Sequence, residues 1–198
     1  MVKTTTIGVL ALQGDFLEHI TSLKQLGVST KEVRLPRDLE SLDGIILPGG
    51  ESTTIAQLLD VFDLREPLIQ RIRDGMPVWG TCAGMILLAK KLYQARPTPL
   101  GLMDIIVDRN AFGRQIDSFT VPLTILGLGD KPLHATFIRA PKITKVEKSV
   151  KILSQLEDGT IVAAQQGKML ATSFHPELTH DTRLHEYFFS MVVDRKSK

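Results

Sequence analysis

A cysteine between two glycines is the residue of this sequence best suited to chemistry. Residues 80–84 read GTCAG, have the form G-x-C-x-G and follow the apolar pair Val78-Trp79. This is the thiol counterpart of the G-x-S-x-G elbow, in which a nucleophile stands on a tight turn between a strand and a helix. Glycines let the two backbones approach closely, and the free N–H groups of a helix N-terminus favour a thiolate. The pattern predicts a nucleophilic Cys82 and an Ala83 N–H placed to bind an oxyanion; the alternative is a small buried core residue.

A histidine and a glutamate near the C-terminus are the partners that such a thiol needs. Residues 173–177 read SFHPE and follow a strand-like run. A thiolate needs an imidazole as its proton acceptor, and the imidazole needs a carboxylate to fix its tautomer. His175 and Glu177 share a face on an extended backbone, since Pro176 discourages a helix there. The order Cys…His-x-Glu predicts a catalytic triad, whereas without Cys82 the same residues would indicate a surface turn.

A glycine-rich loop lies at another predicted strand-to-helix junction. Residues 47–54 read LPGGESTT. The consecutive glycines, Gly49 and Gly50, permit φ > 0, so a peptide N–H can face the elbow as a second oxyanion donor. The other interpretation is a helix cap, which Ser52 or Thr53 can supply. No Gly-Lys-Ser/Thr follows, so the loop is not a phosphate-binding P-loop.

Short apolar runs alternate with amphipathic segments and predict the elements that position these residues. The predicted strands of the first half are 7–12, 33–35, 44–47 and 77–80. The predicted helices there are 15–26, 52–62, one ending near residue 75, and 83–92. This order is typical of a doubly wound, mainly parallel sheet. Residues 105–174 predict antiparallel strands added to the same sheet, and 182–193 predict a closing helix. We expect a three-layer α/β fold, a mixed sheet flanked by helices, in one domain over residues 1–198.

Composition and charge exclude several classes of protein. Lys+Arg 24 against Asp+Glu 22 gives a net charge of +2, which does not indicate a nucleic-acid binder. One cysteine excludes an intramolecular disulfide and a Cys-rich zinc site. No metal is expected, because His175, His180 and His185 are spaced by five; His19 and His134 are interpreted as structural or surface residues. Apolar runs are far shorter than the roughly 20 residues that span a bilayer, so a cytoplasmic protein without a membrane partner is expected.

Together these features resemble the class I, triad-type glutamine amidotransferases, which release ammonia from glutamine through a thioester. The resemblance is most specific to the glutaminase subunits of pyridoxal 5′-phosphate synthase. Matching blocks span nearly the whole chain in the right order: LALQG at 10–14, LPGGESTT at 47–54, GTCAG at 80–84, RNAFGRQ at 109–115, FIRAP at 137–141 and SFHPELT at 173–179.

The resemblance implies a role for each matching residue. Cys82 would be the nucleophile, His175 the general base and acid, and Glu177 the carboxylate that orients it. Gly50 and Ala83 would supply the oxyanion N–H groups. The positions that contact glutamine in this family would be Gly49, Gly50, Glu51, Arg109, Ile138 and Arg139. The resemblance implies no cofactor.

The resemblance also implies a partner protein. In this family the ammonia passes to a separate synthase subunit, which makes pyridoxal 5′-phosphate from a pentose phosphate and a triose phosphate. One alternative is another cysteine hydrolase, or a glutaminase that serves a different synthase, against which the block 109–115 argues. The other alternative is a non-catalytic regulatory subunit, against which the intact Cys82, His175 and Glu177 argue.

Overall fold

The structure is a computed structural model and describes residues 4–109 and 118–194. Its strands are β1 (Thr6–Leu10), β2 (Ser29–Val33), β3 (Gly44–Leu47), β4 (Val78–Thr81), β5 (Ala89–Leu92), β6 (Met103–Asp108), β7 (Ser118–Leu123), β8 (Leu133–Ile138), β9 (Lys142–Val146), β10 (Lys151–Gln155), β11 (Ile161–Gln166) and β12 (Met169–Thr172). Its helices are α1 (Phe16–Gln25), α2 (Ser52–Val61), α3 (Arg65–Arg73), α4 (Ala83–Leu88) and α5 (Arg183–Asp194), with 3₁₀ turns at Pro36–Leu39 and Pro176–Leu178.

A mixed sheet forms the middle of the molecule. Within the described ranges, ten strands join it in the order β2-β1-β3-β4-β12-β11-β9-β6-β5, with β10 paired to β11. Strands β1 to β4 and β12 run parallel, and β11 is antiparallel to β12. Carboxyl ends of parallel strands meet at one edge of a sheet, which is where ligand sites form in folds of this kind. The predicted mixed α/β sheet flanked by helices is therefore confirmed.

Helices cover both faces of the sheet, because its parallel strands are apolar on both sides. In β3, the side chains of Ile45 and Leu47 join one core with α2, α3 and α4. Ile46, between them, joins a second core with α1 and α5. This alternation explains why the central parallel strands, such as β3, are continuous apolar runs. Among the described helices, none has both the length and the hydropathy needed to cross a membrane.

Two predicted boundaries are wrong. The second strand is Ser29–Val33, where 33–35 was expected, because this edge strand is largely polar and only Val33 is fully buried. The helix predicted at 83–92 ends at Leu88, and Ala89–Leu92 pairs with β6 as β5. Residues 89–92 form a strand because they hydrogen-bond to β6, and a local sequence pattern cannot show such distant pairing.

The second half of the chain is only partly an antiparallel extension of the sheet. Strands β7 and β8 form a separate two-stranded sheet, and β5 and β6 are parallel. Strand β12 inserts parallel to β4, with Thr172 opposite Thr81. This insertion matters for the site, because it brings the residues that follow β12 to the end of β4. The closing helix is confirmed as Arg183–Asp194.

Replacing Gly84 by alanine tests how closely α4 lies against the sheet. A Cβ on Gly84 would lie 1.9 Å from the carbonyl oxygen of Leu47, so either α4 or β3 must move. We expect Gly84→Ala to lower the free energy of unfolding by about 3 kcal/mol, measured by urea denaturation. The control is Gly27→Ala, where φ is +71° and nothing lies within 4 Å; there we expect a loss of about 1 kcal/mol. Equal losses would contradict the close packing.

Candidate active site

Cys82 occupies a strained turn between β4 and α4. Its φ is +46° and its ψ is −101°, a left-handed conformation that residues with a Cβ rarely adopt. Its N–H donates to the carbonyl of Thr172, at 2.8 Å. The residue is 7% exposed. This backbone holds the thiol at the carboxyl end of β4, as the G-x-C-x-G pattern predicts.

The two glycines of the pattern are required by close backbone contacts. A Cβ on Gly80 would lie 2.5 Å from the backbone carbonyl carbon of Gly84, and the helix also presses on Leu47 of β3. Side chains at either position would push α4 away from the sheet. Ala83, the first residue of α4, is buried directly beside the thiol residue. Its N–H belongs to the first helical turn, where backbone donors have no partner within the helix.

His175 reaches the thiol because β12 lies beside β4. Its backbone N–H donates to the carbonyl of Thr136 in β8, at 2.8 Å. The imidazole is close enough to the Cys82 thiol for the two groups to interact electrostatically, and its Nδ1 lies 2.8 Å from Oε1 of Glu177. Because an ionised carboxylate only accepts, Nδ1 carries the proton and Nε2 is left for the sulfur. Thiol, imidazole and carboxylate therefore form one row.

Glu177 is buried in the short turn Pro176–Leu178, and its side chain is fully enclosed. Burial raises the pKa of Glu177, because a carboxylate is poorly solvated there, and the hydrogen bond from His175 opposes this rise. The structure thus brings together the three residues that the sequence pattern singled out, in the order that nucleophilic catalysis needs.

Asp15 is a second carboxylate on the same imidazole, and sequence reasoning did not single it out. Its Oδ2 lies 3.3 Å from Nδ1 of His175. The hydrogen bond to His175 lowers the pKa of Asp15, although partial burial opposes this. Burial would lower the pKa of His175, but its interactions with Asp15, Cys82 and Glu177 outweigh it and raise that pKa to about 12. The site therefore favours the imidazolium.

The glycine loop packs against the imidazole. A Cβ on Gly49 would lie 2.3 Å from Cε1 of His175, so only glycine fits there. The carbonyl of Gly49 accepts from the Asp15 N–H at 3.1 Å. In a trans peptide the N–H of Gly50 points the opposite way, away from Asp15. Gln13 Oε1 accepts from the Glu51 N–H at 2.8 Å, so the first strand-to-helix turn fixes this loop.

Two charged residues expected to contact glutamine pair with each other. The Arg109 guanidinium donates to Oε1 of Glu51 at 3.3 Å and to the backbone carbonyl of Arg96 at 2.6 Å. Glu51 also caps α2, since its Oε2 accepts from the Thr54 N–H. Burial would raise the pKa of Glu51, but the hydrogen bonds from Thr54 and Thr53 lower it overall. The loop is therefore a helix cap, but the capping residue is Glu51, where Ser52 or Thr53 was expected, because the longer Glu51 side chain reaches the Thr54 N–H.

The remaining expected contacts lie at the end of β8. Ile138 is half-buried, and Arg139 is exposed with a left-handed φ of +40°. They follow Thr136, whose carbonyl holds the His175 backbone, so they border the site. Residues 110–115, the rest of the block that begins at Arg109, lie outside the described residues.

A metal ion does not suit the donor atoms of this site. Among the described residues, Asp15, His175 and Glu177 place three ligand-type atoms within 4.8 Å of one another. A histidine binds metal through an unprotonated nitrogen, whereas Nδ1 here donates a hydrogen bond to Glu177. The cluster is therefore arranged for hydrogen bonding.

Comparison with known proteins agrees with the geometry of the site. The sequence matches the SNO glutamine amidotransferase family over residues 9–194. The chain belongs to this family. The resemblance stated from the six motif blocks is thereby confirmed.

Similar members of the family carry the name pyridoxal 5′-phosphate synthase subunit PdxT. The protein of that name from Herpetosiphon aurantiacus is 59% identical over 189 residues, which cover 94% of this chain and 100% of that protein. The one from Roseiflexus sp. is 55% identical over 188 residues, with coverage of 94% and 100%. A crystal structure of a glutamine amidotransferase superposes with a TM-score of 0.89 at 46% identity, covering 94% of this chain and 98% of that one.

A more distant structure shares only the fold. A putative GMP synthase subunit from Thermoplasma acidophilum superposes with a TM-score of 0.72 at 17% identity and covers 100% of this chain and 98% of its own. The fold therefore persists at low sequence identity.

Replacing Asp15 by asparagine tests its hold on the imidazole. The pKa of His175 is raised by the Asp15 carboxylate among others, so Asp15→Asn should lower that pKa and let the imidazolium lose its proton at lower pH. Nuclear magnetic resonance titration of the His175 ring protons measures this. The control is Asp158→Asn, because Asp158 bonds Thr160 in a surface turn. An unchanged His175 titration in Asp15→Asn would contradict the assigned contact.

Proposed function

We propose that this chain is the glutaminase subunit of a pyridoxal 5′-phosphate synthase. It hydrolyses L-glutamine to L-glutamate and ammonia through a cysteine thioester. The observation that carries the proposal is the row of Cys82, His175 and Glu177 at the carboxyl edge of the sheet, in a chain of an amidotransferase family. The relatives named PdxT support the same assignment over nearly their full length.

The proposed reaction uses the three groups in turn. The Cys82 thiolate attacks the side-chain amide carbon of glutamine, and the N–H groups of Gly50 and Ala83 hold the oxyanion. The intermediate collapses to a thioester as the amide nitrogen takes the proton of His175 and leaves as ammonia. His175 then removes a proton from water, which attacks the thioester and releases glutamate. Glu177 keeps the imidazole in the required tautomer throughout.

Glutamine reaches the thiol with two charges that need partners. We assign its contacts to Glu51 and Arg109, whose opposite charges suit an α-ammonium and an α-carboxylate. Their mutual contact at 3.3 Å is long for an ion pair with hydrogen bonds, and the Glu51 side chain is 53% exposed. Bound glutamine, a zwitterion, can therefore replace the contact between Glu51 and Arg109 with two shorter contacts of its own. The other assigned contacts are Gly49, Gly50, Ile138 and Arg139.

The proposed partner is the synthase subunit that combines ammonia with a pentose phosphate and a triose phosphate. The amidotransferase chain needs no cofactor for its own step, since thiol, imidazole and backbone donors supply the chemistry. We assign residues 1–198 to a single amidotransferase domain. The proposed location is the cytoplasm, where a free thiol such as Cys82 stays reduced.

Replacing Cys82 by serine should abolish glutamine hydrolysis while the protein stays folded. A hydroxyl is a much weaker nucleophile at neutral pH and is nearly the same size. Ammonia release by the complex with the synthase subunit measures the reaction, and thermal unfolding checks the fold. Stoichiometric labelling by a glutamine-like electrophile should be lost as well. More than a few per cent of the original rate would remove Cys82 from the mechanism and favour a regulatory subunit.

Replacing Arg109 by alanine should weaken glutamine binding and leave the thiol reactive. Loss of a charge-assisted hydrogen bond costs about 1.5–3 kcal/mol, so KM for glutamine should rise roughly ten- to a hundredfold. Alkylation of Cys82 by iodoacetamide should keep its rate. The matched control is Arg34→Ala, which removes an exposed arginine paired with Glu32. An unchanged KM in Arg109→Ala would contradict the assignment.

A further inference from the structure

Two buried histidines lie behind Glu177 and have no part in the proposed reaction. His19 is on α1 and His185 on α5, and both are 0% exposed. The rings meet through Nδ1 of His19 and Nε2 of His185, at 3.0 Å. On its other side, Nε2 of His19 lies 3.1 Å from Oγ1 of Thr81 and 3.3 Å from Oε2 of Glu177. A continuous polar path therefore runs from α5 to the proposed triad.

Burial of both rings favours their neutral forms near neutral pH. Burial lowers the pKa of His19 well below its ordinary value, and the nearby His185 and His175 add to this. Burial also lowers the pKa of His185, to about 4. A neutral imidazole has one N–H donor and one acceptor nitrogen. Only the positions of two protons then remain to be assigned.

The contacts decide between the two possible assignments. If His19 carried its proton on Nδ1, its Nε2 lone pair would face the carboxylate of Glu177. His185 would then hold its proton on Nδ1, which has no hydrogen-bond partner among the described residues, and a buried N–H without an acceptor is costly. With both protons on Nε2 these two defects vanish, because His185 donates to His19, and His19 donates to Thr81 while the same N–H, instead of a lone pair, lies beside Glu177.

The outer oxygen of Glu177 needs such a donor. Oε2 is buried and accepts no well-aligned hydrogen bond from the described residues, while Oε1 accepts from His175. The titratable groups that face this carboxylate are His175, His19 and, through its charge, Asp15. Of these, only His19 faces Oε2 with a neutral N–H dipole. Such a dipole stabilises the anion without competing as a counter-ion for its charge.

We infer that His19 is a positioning residue of the proposed triad: its Nε2–H, set by His185, lies 3.3 Å from Oε2 of Glu177 and stabilises that oxygen by its dipole, so that Oε1 stays directed at His175. This inference rests on the proposed glutaminase function for its kinetic consequence. Its structural part, the hold on the His175–Glu177 hydrogen bond, does not depend on the substrate.

Two amide substitutions at position 19 distinguish the roles of the two ring nitrogens. In His19→Gln the amide nitrogen can reach the place of Nε2 and donate to Glu177. In His19→Asn it reaches only the place of Nδ1, beside His185. Both variants remain polar and similar in size, so they form a matched pair. The packing control is Phe188→Leu, since Phe188 is buried on α5 and contacts the Trp79 ring without touching the carboxylate.

Kinetics of the full chain with its synthase subunit give the first readout. His19→Asn should lower kcat for glutamine hydrolysis by roughly 10- to 100-fold, a part of the 10²- to 10⁴-fold that a well-placed general acid and base supplies, and change KM less than twofold. The acid limb of kcat/KM should move to higher pH, because the anion of Glu177 is less stabilised and protonates sooner. In His19→Gln, both kcat and the pH of the acid limb should stay close to the values of the unsubstituted protein. Circular dichroism at each pH checks that the variants remain folded.

The low-field Nδ1–H resonance of His175 gives a second readout, without substrate. It should broaden or shift upfield in His19→Asn and stay in place in His19→Gln and Phe188→Leu. A resonance unchanged in His19→Asn, or kinetic losses that Phe188→Leu reproduces at equal loss of thermal stability, would overturn the inference. If the original complex released no ammonia from glutamine, the proposed function would fail, while the resonance would still decide whether His19 holds the carboxylate.

Discussion

Close contact between α4 and the sheet determines where the thiol lies, and the rest of the site is arranged around that position. Gly80 and Gly84 let the helix backbone touch β3 and β4, which leaves no room for an ordinary turn. Cys82 therefore takes a left-handed conformation, and its side chain lies at the carboxyl edge of the sheet. The other residues of the site have to lie near the carboxyl end of β4 to reach the thiol. The parallel insertion of β12 beside β4 is what brings His175 there.

Burial gives the two carboxylates on His175 different characters. Glu177 is fully enclosed, so its pKa rises, and it makes the shorter contact with Nδ1. Asp15 is 38% exposed at its side chain, its pKa is lowered, and its contact is longer. One carboxylate is thus fixed in place by the core, and the other adds negative charge from the solvent side. Together they favour the imidazolium that ammonia release requires, and Glu177 also fixes the orientation of the His175 ring.

Local chemistry made much of this predictable from the sequence. β3 and β4 are short apolar runs that end in glycine motifs, the thiol lies in one short motif, and the imidazole and Glu177 share another. What depends on distant pairing was not predictable. The strand Ala89–Leu92 exists because it pairs with β6, and β7 and β8 leave the main sheet. Likewise, no local pattern shows that Asp15 and His19, which belong to the first strand-to-helix turn and helix, meet residues 175 and 177.

The neutral histidine pair has a consequence for the stability of the whole fold. An unfolded chain would protonate His19 and His185 near the ordinary value of 6.5, whereas the folded core keeps both neutral, with the pKa of His185 at about 4. The unfolded state therefore binds more protons as the pH falls, and the free energy of unfolding decreases from about pH 6.5 towards pH 4. Mild acid therefore destabilises this protein through buried groups, which lie in the layer between α1 and α5.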